Sequence, residues 1–348
     1  MNATPAPLRL ADNRIPVYYS GGERITEFRG GGAGPTGPED WVGSLTALPA
    51  AILPPGYPSD TGVSRTDRGS LRDLVAADPQ AWLGQELAAA YGTESGLLVK
   101  LLDAGERLPV HCHPTRDFAR AHLGSRFGKT EGWIVLAAAP GARVWLGMRD
   151  RVGTEELRRW IAAQDSTAML AAMNEIPVTG GQVFYVPAGL PHAIGAGVMV
   201  TELQEPTSFS VLAEHDAFGL GPAAATLGLG WDLALTCFDL NGYADRLGEL
   251  TPAPRDLRSS SGGRLRSLFP ADADAYFRAW QAECTEEQAL PVAGFAVLVV
   301  TDGAGTLVWN GGKTPIARGQ TLVVPAAAGP LRLRGTVRVI ACLPPECR

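Results

Sequence analysis

Three histidines carry the clearest chemical signal in this sequence. His111 and His113 stand one residue apart, and His192 follows the turn-forming stretch Pro-Ala-Gly-Leu-Pro. Side chains alternate along a β-strand, so a strand here places His111 and His113 on one face and Cys112 on the other. Two imidazoles on one face can bind a single metal ion. The pattern therefore predicts a metal site, with Cys112 as a packing residue behind it.

The spacing around these histidines indicates the fold. The chain contains, in order, both halves of the cupin signature: Gly105-x5-His111-x-His113 and Gly181-x5-Pro187-x-Gly189-x2-His192. An HxH pair alone is a weak signal, whereas both halves together predict a metal-binding β-barrel.

Two acidic residues are candidates for the fourth ligand. Asp117 lies in the loop Pro-Thr-Arg-Asp, and Glu131 begins the predicted strand Glu-Gly-Trp-Ile-Val-Leu. A carboxylate on a strand is held more rigidly than one on a loop, so Glu131 is preferred and Asp117 is its rival. Three histidines and one carboxylate suit Zn²⁺, and also Mn, Fe, Ni or Cu.

Two lysines are placed to act beside such a metal. Lys100 interrupts the apolar run Leu-Leu-Val-Lys-Leu-Leu, and Lys129 precedes Glu131 by two residues. Burying an unpaired ammonium group costs several kcal/mol, so Lys100 must face a wet pocket or a partner. In an extended chain, Lys129 and Glu131 face the same side.

Short strands and a few helices must position these groups. The segment at 131–147 indicates two strands joined at Pro140-Gly141 in a hairpin. Helical periodicity occupies 70–92 and 154–174. The stretch Gly-Gln-Val-Phe-Tyr-Val-Pro at 181–187 recurs as Gly-Gln-Thr-Leu-Val-Val-Pro at 319–325, which suggests a duplicated barrel unit.

The predicted fold is mostly β, with two cupin barrels of the double-stranded β-helix or jelly-roll type and a small helical insertion. We expect residues 1–215 to form the N-terminal region and the metal-binding cupin, with helical insertions. Residues 216–285 form a mixed, partly helical connection that includes Ala-Asp-Ala-Tyr-Phe-Arg-Ala-Trp-Gln-Ala-Glu. Residues 286–348 form part of a metal-free C-terminal cupin, since no HxH motif lies there.

Composition excludes several function classes. Of 348 residues, 45% are hydrophobic. The chain has 30 Lys and Arg residues and 36 Asp and Glu residues, which gives a net charge of −6. With no long basic run and no apolar stretch of membrane-spanning length, we expect neither a nucleic-acid nor a membrane partner. The five scattered cysteines and the lack of a signal-peptide pattern favour the cytoplasm. The sequence does not indicate an oligomeric state.

One stretch, GLLVKLLDAGERLPVHCHPTRDFA with the following GKTEGW, resembles class I mannose-6-phosphate isomerases, which are zinc-dependent cupins. Further matches, in family order, are GGERITEF, PEDWVGS, PAGLPHAIGAGVMVTELQEP and GQTLVVPA. The resemblance covers most of the chain. It implies that the metal ligands are His111, His113, Glu131 and His192. It also implies that Lys100, Lys129 and Trp41 are pocket residues.

The sequence departs from this family at several positions. His111 stands where the family usually has Gln, and Pro109 where it has Ser. Ser208 and Leu212 stand where it has Asp and Arg. That Arg interacts with the phosphorylated sugar, so its replacement leaves the phosphorylation of the substrate open. Candidates to replace it are Arg116, Arg120 and Arg126.

The function this implies is a metal-dependent aldose–ketose isomerase acting on a hexose or hexose 6-phosphate through a cis-enediol, of the mannose 6-phosphate to fructose 6-phosphate type. Its small-molecule substrate is a sugar or sugar phosphate. A general base is required, and Lys100, Lys129 and Glu202 are the candidates. The alternatives are a cupin oxygenase with a redox metal held by three His and one Glu, and a non-catalytic sugar-binding cupin.

Overall fold

The computed structural model describes residues 5–32, 36–292 and 294–347. Antiparallel sheets dominate the fold. The strands of these residues are β1 (Leu8–Leu10), β2 (Arg14–Ile15), β3 (Glu39–Val42), β4 (Arg65–Thr66), β5 (Gly69–Ser70), β6 (Leu98–Asp103), β7 (His111–Cys112), β8 (Glu131–Ala138), β9 (Arg143–Met148), β10 (Met173–Pro177), β11 (Val183–Val186), β12 (His192–Ile194), β13 (Val198–Gln204), β14 (Val211–Leu212), β15 (Arg255–Ser260), β16 (Gly263–Ser267), β17 (Arg278–Cys284), β18 (Glu287–Leu290), β19 (Ala296–Trp309), β20 (Gly312–Ala317), β21 (Thr321–Val324) and β22 (Leu331–Leu343).

Short helices connect the strands. They are α1 (Glu23–Phe28), α2 (Leu71–Ala77), α3 (Pro79–Leu83), α4 (Gln85–Tyr91), α5 (Arg116–His122), α6 (Thr154–Ala163), α7 (Ser166–Ala172), α8 (Pro222–Ala225), α9 (Trp231–Ala234) and α10 (Leu247–Leu250). Single 3₁₀ turns occupy Asp216–Phe218, Leu235–Cys237, Ala244–Arg246, Ala271–Ala275 and Ala326–Ala328. Within the described ranges, no helix combines the length and the apolarity that crossing a bilayer requires.

Two sheets form the first barrel. One has the order β11-β8-β13-β6-β3-β2, and the other has the order β10-β9-β12-β7-β14. Trp133 and Leu102 of the first sheet pack against Val144 and Leu146 of the second, while Ile134, the neighbour of Trp133, faces away. The strands of the first sheet are therefore buried on both faces, which explains their nearly continuous apolar sequence.

A third sheet forms the second barrel. Its order is β1-β21-β19-β22-β17-β16-β15, with β18 added to β22 and β20 to β19. One face packs on the first barrel through contacts such as Val297 and Val299 with Leu101 and Ile134. The other face encloses a cluster of aliphatic side chains that includes Leu298, which fills the space where the first barrel carries polar groups.

The repeated segments adopt the same local structure. Gly181 and Gly319 have positive φ angles of 88° and 87°, and each precedes a four-residue strand, β11 or β21. Each strand ends directly before a proline, Pro187 or Pro325. The prediction of two barrels of related plan is confirmed.

The hairpin predicted at Pro140-Gly141 is wrong, although both of its strands are present. β8 pairs with β11 and β13, whereas β9 pairs with β10 and β12 in the other sheet. The turn therefore carries the chain across the barrel between two sheets. Turn residues indicate a reversal of direction, but they do not specify whether the strands that flank it pair.

The helical interpretation of residues 273–283 holds only for their start, which lies in the short 3₁₀ helix Ala271–Ala275, and is wrong for the rest. The residues 278–284 form β17, which pairs with both β16 and β22. Its helix-forming Ala, Gln and Glu residues adopt a strand because two neighbouring strands satisfy its backbone groups, and such tertiary pairing overrides intrinsic propensity. The third sheet thus takes strands from Arg255 onwards and β1 from the N-terminal region. The proposed division at 215 and 285 stays a prediction.

The two repeat glycines offer a matched test of packing between the barrels. A Cβ at Gly319 would lie 2.1 Å from the carbonyl oxygen of Phe28 in α1, whereas a Cβ at Gly181 meets nothing within 4 Å. Gly181→Ala should therefore cost only the left-handed strain of about 1–2 kcal/mol. Gly319→Ala should cost about 1–3 kcal/mol more through backbone overlap. Equal losses in urea unfolding would contradict this docking of α1.

Candidate metal centre and active site

The pairing of β7 with β12 brings the three histidines together. His192 lies directly opposite His111 in this pair, and His113 follows β7. The ring centroids are 4.1 Å apart for His111 and His192, 4.9 Å for His111 and His113, and 4.8 Å for His113 and His192. All three side chains are buried, and they offer ligand nitrogens within 4.8 Å of one another. The strand alternation predicted from the HxH spacing thus places His111 and His113 on the face that meets His192, where the three side chains could hold a metal ion.

Hydrogen bonds orient each of the three imidazoles in the same way. Nδ1 of His111, His113 and His192 lies 2.8 Å from a backbone carbonyl oxygen, of Pro109, Phe209 and Leu190 respectively. A carbonyl only accepts, so each Nδ1 donates and each Nε2 is left unprotonated with a lone pair. The Nε2 of His113 lies 2.9 Å from Nζ of Lys129.

The electrostatic surroundings favour neutral rings. Burial lowers the pKa of His113 to about 3, and the nearby Lys129 ammonium adds to the effect. Burial also holds the pKa of His111 well below its usual value. The neutral imidazole is the form that binds metals.

Glu131 completes the cluster. Its Oε1 lies 3.3 Å from Nε2 of His192, and its Oε2 lies 3.0 Å from Nε2 of His113. Asp117 lies on α5 instead, where its side chain is 92% exposed and pairs with Arg120. The geometry therefore favours Glu131 over Asp117 as the fourth ligand.

The donor atoms fit a cation. Nε2 of His192 is buried and makes no hydrogen bond within the described residues. Oε2 of Glu131 is buried beside His113 and Lys129, each 3.0 Å away. Burial alone would raise the pKa of Glu131, but Lys129 and His113 hold it well below the usual range. Neutral nitrogens and an ionised carboxylate with unused lone pairs form the donor set expected for a divalent ion.

Lys100 and Glu202 form a buried ion pair beside the histidines. Lys100 lies on β6 directly opposite Glu202 on β13, and Nζ of Lys100 is 3.1 Å from Oε2 of Glu202. Lys129 lies 3.0 Å from Oε2 of Glu131 and 2.9 Å from Nε2 of His113. The three residues considered as general bases thus surround the cluster.

Sequence reasoning missed Glu39. Its buried carboxylate accepts hydrogen bonds from the Tyr19 hydroxyl at 2.6 Å and from Nε1 of Trp41 at 2.7 Å, and it lies 3.3 Å from Nζ of Lys100. Burial, reinforced by Glu39, raises the pKa of Tyr19 well above its usual value. Glu39 precedes Trp41 by two residues on β3, so the strand alternation that places Trp41 in the pocket was a usable signal.

A cavity of about 100 Å³ opens from the cluster to solvent. Tyr18, 42% exposed, and Ile52, 50% exposed, lie at its mouth. Its lining residues are Val17, Tyr18, Tyr19, Glu39, Trp41, Leu48, Ile52, Lys100, Leu102, Leu108, His111, Lys129, Glu131, His192, Ile194, Glu202, Ser208 and Ser210.

The arginines considered for phosphate binding have other contacts. Arg116 lies 2.5 Å from Glu205 and stacks over Tyr276. Arg120 pairs with Asp117, and Arg126 stacks over Tyr91. None of the three is among the described residues that line the cavity. Of the two substituted positions, Ser208 lines the cavity, whereas Leu212 is buried on β14.

Fold and site together define a metal-binding protein with two cupin barrels. No family model matches the chain. The chain is 45% identical to mannose-6-phosphate isomerase of Streptococcus mutans over 31% of its own length and 33% of that protein. It is 28% identical to the probable mannose-6-phosphate isomerase GmuF of Bacillus subtilis over 69% of its own length and 72% of that protein.

The fold comparison agrees with these matches. A crystal structure of mannose 6-phosphate isomerase bound with zinc and yttrium superposes with a TM-score of 0.74 over 98% of this chain and 100% of that one, at 16% identity. At this identity the superposition shows the fold. In sequence and in fold the chain is similar to mannose-6-phosphate isomerases. It spans only 33% of the length of the Streptococcus protein that it matches.

The choice between Glu131 and Asp117 can be tested by metal affinity. Glu131→Gln removes the only negative charge that touches the imidazole cluster among the described residues, so the Zn²⁺ affinity should fall by more than about 100-fold. Asp117→Asn changes an exposed carboxylate and should leave the affinity unchanged. Chelator competition with the metal-free protein measures both. A larger loss in Asp117→Asn would reverse the assignment.

Proposed function

We propose that this protein is a metal-dependent aldose–ketose isomerase acting on a hexose or hexose 6-phosphate, of the type that converts mannose 6-phosphate to fructose 6-phosphate. The observation that carries the proposal is that His111, His192 and Glu131 of the ligand cluster line one cavity with the buried pair Lys100–Glu202. The ligand cluster suits a cation, and the Lys100–Glu202 pair can move a proton beside that cation. The curated relatives that the chain matches are named mannose-6-phosphate isomerases, which supports the same reaction.

We assign the metal to His111, His113, His192 and Glu131. Zn²⁺ is the preferred ion because of this donor set and because a neighbouring structure is described as bound with zinc; Mn, Fe, Ni and Cu also suit three imidazoles and a carboxylate. When bound, the ion supplies Lewis-acid stabilisation of negative charge on the sugar oxygens.

Glu202 is the preferred base. Burial raises its pKa above the ordinary value, and Glu131 adds to the effect against the opposing charge of Lys100. Its Oε2 is buried and lies 3.1 Å from Nζ of Lys100. A carboxylate with a raised pKa is a better match to a proton on carbon than an ordinary one. Glu202 would take the proton from the carbon beside the sugar carbonyl and return it to the neighbouring carbon.

Lys100 acts as a cation and not as a base. Burial alone would lower its pKa, but Glu202 and Glu39 overcome this and raise the pKa above its usual value. A permanently charged Lys100 can donate a hydrogen bond to a sugar oxygen and keep Glu202 in place. Lys129, which contacts Glu131 and His113, is the second cation available to the sugar.

Part of the cavity wall is apolar. Leu102, Leu108 and Ile194 line it next to the charged groups. An apolar wall strengthens the electrostatic interactions inside it and protects a reactive enediol from solvent.

One observation also favours a second candidate. Three imidazoles and one carboxylate form a donor set that redox-active iron, copper or manganese accept, so a cupin oxygenase is the alternative. Oxygen uptake by the iron-loaded protein with a sugar present would favour it. Sugar binding without turnover would favour a non-catalytic sugar-binding cupin.

The isomerase proposal predicts exchange and interconversion together. The Zn²⁺-loaded protein in D₂O should convert an aldohexose or its 6-phosphate to the ketose and place deuterium on the carbon beside the carbonyl, as NMR detects. If neither sugar pool changes and no deuterium enters, the proposal fails.

Glu202→Gln should lower kcat by about 10²–10⁴-fold, the usual contribution of a general base. The wild-type activity should fall on acidification at a pH above the usual glutamate range, since the raised pKa of Glu202 lets it protonate earlier. Glu214→Gln is a matched control: this buried carboxylate binds Arg107 outside the cavity, so the variant should lose stability and keep kcat. Loss of kcat in both variants would point to general destabilisation.

An arginine in the cavity lining should favour phosphorylated substrates. Ser208 lines the cavity and is half-buried, so Ser208→Arg adds a guanidinium group to the lining. A charged hydrogen bond to phosphate should raise the ratio of kcat/KM for the hexose 6-phosphate over the free hexose by about 10-fold or more. Leu257→Arg, on the third sheet, adds the same charge outside the cavity and should leave the ratio unchanged.

A further inference from the structure

A row of directly opposed residues crosses the first sheet next to the metal cluster. Trp41 on β3 lies opposite Lys100 on β6, Lys100 lies opposite Glu202 on β13, and Glu202 lies opposite Trp133 on β8. Glu131 precedes Trp133 by two residues, so both side chains face the same interior. Trp133 therefore stands between the base and the carboxylate assigned to the metal.

The indole N–H of Trp133 contacts both carboxylates. Nε1 lies 3.1 Å from Oε1 of Glu131 and 3.3 Å from Oε1 of Glu202. An indole nitrogen only donates, and an ionised carboxylate only accepts, so a single N–H is shared between the two acids. The Oε2 atoms of the same two carboxylates face ammonium groups instead: Lys129 lies 3.0 Å from that of Glu131, and Lys100 lies 3.1 Å from that of Glu202. The indole thus holds one oxygen of each acid, and a lysine pairs with the other.

We propose that Trp133 is a positioning residue that fixes the rotation of both carboxylates through this shared hydrogen bond. It leaves Oε2 of Glu131 beside His113, at 3.0 Å, and Oε2 of Glu202 beside Lys100, at 3.1 Å. This inference rests on the proposed function, because it assigns Glu131 to the metal and Glu202 to proton transfer. Partners of metal ligands that hold their orientation typically affect metal affinity or activity by about 10–100-fold.

Packing alone does not account for a tryptophan at this position. The side chain is fully buried, and its ring contacts Phe184 and His192 with centroids 6.1 Å and 5.6 Å away. Those edge contacts need only an aromatic ring, which phenylalanine also provides. The N–H between two acidic oxygens is the feature that phenylalanine lacks.

Two variants separate the hydrogen bond from the packing. Trp133→Phe removes the donor and part of the ring, and Trp133→3-benzothienylalanine keeps the bicyclic shape and replaces only the N–H with sulfur. Trp82→Phe is the control, because Trp82 is buried in a different hydrophobic cluster. The readouts are Zn²⁺ affinity by chelator competition, the visible absorption bands of the Co²⁺-loaded protein, kcat, and the thermal midpoint of the metal-free protein.

Both replacements at position 133 should weaken Zn²⁺ binding by about 10–100-fold, shift the Co²⁺ bands and lower kcat, while Trp82→Phe changes only the thermal midpoint. If the benzothienyl protein matches the wild type in affinity, spectrum and kcat, the inference is wrong, whatever Trp133→Phe does. If the wild-type protein itself binds neither Zn²⁺ nor Co²⁺, the proposed metal site fails and the inference with it.

Discussion

The structure depends on the mutual compensation of charges that are buried side by side. Glu39, Glu131 and Glu202 share one cavity wall with Lys100 and Lys129, and all five side chains are buried. Leaving one such charge without its partner costs about 3–5 kcal/mol. The described lining residues hold one more carboxylate than ammonium groups, so a divalent cation would reverse the sign of the cavity rather than add to an existing charge. This net negative charge favours the binding of a cation in the cavity.

Strand register holds these charges in place. Lys100 and Glu202 are direct partners across β6 and β13, and Glu202 and Trp133 are direct partners across β13 and β8. A slip of one residue would turn every one of these side chains to the opposite face. That face packs against the second barrel through Leu101 and Ile134, and it has no room for charge. The packing between the barrels therefore specifies the register that assembles the site.

The two barrels have a related plan but different interiors. They share the glycine-strand-proline device at Gly181 and Gly319, yet the second encloses aliphatic side chains where the first encloses histidines and acids. The carbonyl of Phe28 approaches Gly319 so closely that a side chain would overlap it. The N-terminal helix is thereby anchored to the second barrel, and β1 pairs with β21 of the same sheet. Tyr18, in the chain between these anchors, lies at the mouth of the cavity together with Ile52.

The sequence by itself determined the barrel class, the histidine cluster and the strand-borne Glu131, because these follow from residue spacing and from the two-residue period of a strand. Only the tertiary structure decided which strands pair. Local pattern does not encode partners distant in sequence, which is why the Pro140-Gly141 turn was misread as a hairpin and β17 as a helix. For the same reason the sequence did not reveal Glu39 or the role of Trp133. Glu39 contacts Lys100, and Trp133 contacts Glu202; the members of each pair lie more than about sixty residues apart along the chain. Only the sheet brings them within hydrogen-bond distance.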